Sequence, residues 1–137
     1  MPADVIEHEV QPDPENDPEH PIPYLRVLDV AGYKTGGGAD LSIIVASPLQ
    51  ADQRSQARLV DKIHGYLGYV CSEEFRADAG CTPCPDNTFI TVVLHPASAP
   101  EIRDLLERCR EWVRSNHAEL VVRTLDDSDM TASRDPD

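Results

Sequence analysis

Basic residues are missing where this chain begins. Residues 1–23 hold seven acids, from Asp4 to Glu19, and neither lysine nor arginine; residues 126–137 hold five acids against the single Arg134. The net charge of −13 is therefore concentrated at the ends, as −7 and −4, and residues 24–125 carry −2 from 13 acids and 11 bases. With no basic stripe to neutralise a phosphate backbone, nucleic-acid binding is disfavoured. Long apolar runs are lacking too. Nothing approaches the roughly 20 apolar residues that cross a bilayer, and the first residues lack the basic-then-apolar layout of a signal peptide. No membrane partner and a cytoplasmic location are the expectation. In that reducing compartment the four cysteines are thiols or metal ligands before they are stable disulfides. No internal repeat is present.

The hydrophobic fraction of 40% is low and the 12 prolines are many, and position explains both. "QPDPENDPEHPIP" (11–23) has too little apolar surface to offset the entropy of ordering it. Residues 1–23 and 126–137 thus read as disordered acidic tails around a single α/β domain over 24–125, a length that suits one modest core.

Within that domain, "YLRVLDVA" and "DLSIIVAS" flank the glycine-rich "GYKTGGGA", which predicts a β-hairpin pairing Tyr24–Val30 with Leu41–Ala46. Ser47-Pro48 is a plausible helix start, and Leu59, Ile63, Leu67 and Val70 then recur at helical spacing. "NTFITVVLH" (87–95) is rich in β-branched residues and reads as a strand. Ser98-Ala99-Pro100-Glu101 fits a capping box, ahead of the apolar stripe Ile102, Leu105, Leu106, Cys109 and Val113. "ELVVRTL" is the last strand. The order β-β-α-β-α-β, with crossovers that are right-handed almost without exception, predicts a two-layer α/β (α+β) sandwich: a mixed four-stranded sheet with two helices on one face.

The segments "DLSIIVASP", "LVDKIHGYLGYVCSEEF", "TFITVVLHP" and "IRDLLERCREWV…ELVVR" resemble an uncharacterised bacterial family of small ββαβαβ domains of unknown function, over about residues 26–125. The most specific element is Lys62, Ile63, Tyr66, Leu67, Tyr69 and Val70 on the first helix. The resemblance implies the fold and carries no active site across. Cys81 and Cys84 stand outside the family pattern. By analogy of fold, it implies a small acidic protein that binds another protein.

Three groups of residues invite a functional reading. "TGGGAD" leads into a strand and lacks a following Gly-Lys-Ser/Thr, so it reads as a turn and not a phosphate loop. Cys81 and Cys84 have zinc-knuckle spacing, and Cys71 offers a third thiolate, with Glu73, Glu74, Asp78 or Asp86 to complete the shell. Because Cys81-Thr-Pro-Cys84 precedes a strand, it lacks the helix N-terminus that activates a redox pair. Cys109 on its helical stripe reads as a small core residue. His64 or His95 with Cys71 imitates a base–nucleophile pair without an orienting third group. Tyr66, Tyr69 and Trp112 are partial core or, if exposed, the anchors of an interface.

The expectation is a non-catalytic, protein-binding domain of accessory or immunity-like type, with a basic protein as its partner and no cofactor. A zinc thiolate module on the Cys71–Cys84 loop is the alternative, and a small Cys/His enzyme the weaker one.

Overall fold

The computed structural model describes residues 17–25 and 27–125. The acidic segments 1–16 and 126–137, expected to be disordered, lie outside the described residues. Four strands form one sheet: β1 (Val30–Tyr33), β2 (Ala39–Val45), β3 (Thr88–Leu94) and β4 (Glu119–Thr124), in the order β1-β2-β3-β4. β1 runs antiparallel to β2, and β2, β3 and β4 are parallel. Three helices accompany them: α1 (Gln53–Val70), α2 (Glu73–Ala79) and α3 (Pro100–Ser115). The mixed four-stranded sheet of the expected α+β class is present.

Alternation along the strands explains the layers. In β2, Ala39, Leu41, Ile43 and Val45 are fully buried, while Asp40 is exposed and Ser42 and Ile44 are half-buried between them. The register sets them beside Ile90, Val92 and Leu94 of β3, and Ile90 beside Leu120 of β4. These residues share one apolar cluster with Leu59, Ile63, Leu67 and Val70 of α1 and Ile102, Leu106, Cys109 and Val113 of α3. Each such aliphatic side chain contributes about 1.5–3 kcal/mol through burial. Cys109 is the small core residue its helical position indicates, and burial raises its thiol pKa. His117, at φ 75°, turns the chain out of α3.

Several boundaries differ from the sequence reading, each for a local reason. The first strand is β1, not Tyr24–Val30, because backbone groups ahead of it are taken by α1 side chains: Lys62 Nζ donates to Tyr24 O (2.7 Å) and the Asp29 N–H to Tyr66 Oη (2.8 Å). α1 starts beyond Ser47-Pro48, with Asp52 accepting the Ser55 N–H. Ser98 does not cap α3; its hydroxyl accepts the Leu49 N–H (3.0 Å), and Ala99 precedes the helix without a side-chain bond. The expected surface loop from Cys71 to Cys84 contains α2, capped by Ser72 and closed by left-handed Gly80, with Phe75 and Ala79 buried.

The prolines of 17–23 do not keep that stretch off the domain. Ile22 and Leu25 enter the core, and Arg54, Arg58 and Lys62, spaced four apart on α1, hold the strap in place. Arg54 pairs with Asp17 (2.6 Å), Arg58 donates to Ile22 O and Pro23 O, and Lys62 takes Tyr24 O and Asp29.

The glycine run also has a steric cause. Gly38, at φ 121°, lies so close to the backbone of Asn87 that any Cβ would fall on its carbonyl oxygen, which accepts the Ala39 N–H at 2.9 Å. The turn is thus fastened to the loop leading into β3.

Candidate functional site

The resemblance-bearing helix segment holds the clearest polar construction in the molecule. Lys62, Tyr66 and Tyr69 stand four and three residues apart, on one face of α1. Lys62 is 1% exposed; its ammonium is compensated by Asp29 Oδ1 (2.8 Å), whose other oxygen accepts the Ile44 N–H (3.0 Å). Tyr66 Oη accepts from Asp29 and donates to Ser42 O (2.7 Å). Tyr69 Oη donates to Asp78 Oδ2 (2.5 Å) of α2 and lies 2.7 Å from Tyr33 Oη of β1, leaving the Tyr33 hydroxyl as the donor between the two rings.

This ladder lines a cleft of about 340 Å³ between Leu25, Val27 and Leu28 of the strap, Tyr33 of β1, Gly65, Tyr66 and Tyr69 of α1, and Glu74 and Asp78 of α2. Tyr66 is buried in its floor and Tyr69 half-buried in its wall, edge-on to Phe75 at 5.4 Å. Burial raises the pKa of both tyrosines, and for Tyr69 the hydrogen bond to Asp78 adds to it. Both hydroxyls therefore stay protonated at neutral pH. Glu74 and Asp78 have no basic partner among the described residues. Aromatic faces beside uncompensated carboxylates attract a cation.

The rim is apolar. Among the described residues, the exposed large hydrophobic side chains are Tyr24 (42%), Val27 (53%), Val30 (50%) and Tyr33 (43%), all within residues 24–33, and Val27 and Tyr33 line the cleft. A concentration of this kind along one edge is the usual mark of an interaction surface.

The residues singled out from the sequence separate in space. Tyr69 lines the cleft wall and Tyr66 its floor, while Trp112 lies elsewhere, stacked on His64 at 6.3 Å between centroids. His64 and Trp112 share a smaller recess of about 250 Å³ with Leu67, Gly68, Cys71 and Asn116. It brings His64 and Cys71 together, but its lining contains no carboxylate to orient the imidazole. His95 is turned to its own backbone, its Nδ1 accepting the Ala97 N–H.

Cys71, Cys81 and Cys84 are free thiols, with α2 standing between the first and the other two. Among the described residues no three of His, Cys, Asp and Glu come together to hold a metal ion. The Cys84 region serves the turn: its N–H donates to Asn87 Oδ1 and its carbonyl accepts from the Asn87 and Thr88 N–H groups.

Sequence reasoning missed Tyr24, Val27, Tyr33 and the pairing of Lys62 with Asp29. The available signal was the spacing of Lys62, Tyr66 and Tyr69 within an otherwise apolar stripe. Comparison of the chain with protein-family models, curated proteins and solved structures finds no match. Among the described residues, no helix is long and apolar enough to cross a membrane.

Proposed function

We propose that this chain is a non-catalytic binding domain whose tyrosine cleft receives a basic segment of another protein, in an accessory or immunity-like role within the bacterial family its first helix resembles. The supporting observation is the pair of exposed apolar side chains Val27 and Tyr33 in the lining of a cleft that also carries Glu74 and Asp78. An arginine or lysine entering the cleft meets two carboxylates and the side chains of Tyr33 and Tyr69, while apolar neighbours of that residue cover Tyr24 and Val27. The charge of −13 adds long-range attraction for the same class of partner and raises its encounter rate.

Calorimetry with a synthetic decapeptide of alternating threonine and valine around one central arginine tests this reading. Tyr33→Ala is expected to weaken binding by about 2 kcal/mol, the range of an aromatic anchor, and Asp78→Asn to weaken it in a salt-dependent way. Equal affinity of wild type and both variants would remove the cleft from the interaction.

A further inference from the structure

Beyond the cleft, β1 lies at the edge of the sheet, and among the described residues no strand pairs with its outer side. We infer that the partner's basic segment binds as an added fifth strand along β1, with its cationic side chain directed into the tyrosine cleft; this rests on the proposed cleft function and specifies how the cleft is used.

Backbone phase carries the inference. The Lys34 N–H donates to Gly38 O (3.0 Å), and the register pairs Gly32 with Asp40 and Val30 with Ser42. In an antiparallel ladder, facing and outward residues alternate, so Gly32 and Val30 turn their backbone groups towards β2. Ala31 and Tyr33 turn theirs outward. The neighbouring strand agrees with that phase, since the Ala39 N–H points the other way, to Asn87 O at 2.9 Å. Among the described residues nothing pairs with the outward groups of Ala31 and Tyr33.

Natural sheets blunt such an edge by keeping it short or with lysine, proline or a covering segment. "VAGY" is short, at four residues, but contains neither lysine nor proline, and it exposes Val30 on one face of the sheet and Tyr33 on the other. A strand laid against β1 therefore gains ladder hydrogen bonds and covers apolar side chains above and below. On the Tyr33 side, its residues alternate over the cleft that holds Glu74 and Asp78, which selects arginine or lysine there. Like charge opposes the other occupants: a second copy would bring its own Glu74 and Asp78 to the same edge, residues 1–23 contain neither lysine nor arginine, and residues 126–137 set five acids against the single Arg134.

Hydrogen exchange on the full-length chain, with and without the threonine–valine–arginine decapeptide, tests the mode. Exchange at Ala31 and Tyr33 is expected to slow about tenfold or more at saturation. A peptide N-methylated along its backbone should bind at least about tenfold more weakly, the loss of a few ladder hydrogen bonds. Ala31→Pro, which removes one outward donor at a position where an edge strand tolerates proline, should act in the same direction. If the N-methylated peptide binds as tightly as the parent while Tyr33→Ala still weakens both, strand addition is wrong and the cleft reading stands. If neither peptide depends on Tyr33, both fail. Protection of Ala31 and Tyr33 that rises with protein concentration, without peptide, gives the edge to a second copy and overturns the inference.

Discussion

Lys62 and His20 show how single residues fasten the strap that forms half of the cleft rim. The ammonium of Lys62 is almost wholly out of water and is satisfied by one carboxylate and one carbonyl. Truncation leaves the partly exposed Asp29 and the Tyr24 carbonyl without their donor, so Lys62→Ala should cost about 1.5–3 kcal/mol in denaturant unfolding, the range of lost hydrogen bonds to charged groups. His20 works differently. The Ile22 N–H donates to its Nδ1 (2.9 Å), so Nδ1 carries no proton and Nε2–H is the donor towards Ser55 Oγ (3.0 Å). Burial, and then the charges of Arg58 and Arg54, lower its pKa below 6.5. The unfolded chain thus takes up the proton first. Strap docking is at full strength above pH 6.5 and weakens as pH falls from there through the lower, folded value. An NMR titration should show His20 titrating below the histidine norm, with a lower Ile22 amide protection factor as it protonates; a His20 pKa at or above 6.5 would contradict this.

The elements that carry long periodic patterns were legible in the sequence, and those fixed by side-chain-to-backbone bonds were not. β3, α3 and β4 follow from alternation and helical spacing. β1 begins late because Lys62 and Tyr66 take the carbonyl and amide of a segment whose composition reads as strand. α2 escaped notice because seven residues are too few for a periodic signal, although Ser72 before Glu73 and Glu74, and Gly80 after Ala79, are its cap and stop. The same limit applied to the site: Tyr66 and Tyr69 stood out as aromatics, but Tyr33 gains its role only from lying opposite α1 in the fold. Ser72→Ala should destabilise the protein by about 1 kcal/mol through loss of the α2 cap. Because α2 holds Glu74 and Asp78 at the cleft, it should also weaken decapeptide binding, which paired melting and calorimetry would detect. Undiminished affinity would mean that α2 does not position the cleft's charge.

At the scale of the molecule, the fold divides labour between a sealed layer and one open edge. Two helices close one face of the sheet over a continuous aliphatic core, while β1 and α2 leave Tyr33, Glu74 and Asp78 exposed together at the β1 side. On the proposed function, the acidity concentrated at the chain ends attracts a cationic partner and the cleft receives it. The most direct test is a backbone amide shift map of the full-length chain titrated with the arginine decapeptide at physiological ionic strength. Docking at the cleft predicts saturable shifts concentrated at Val27–Tyr33, Tyr69 and Asp78. Shifts confined to the acidic residues of 1–16 and 126–137, or spread over the surface without saturation, would contradict it.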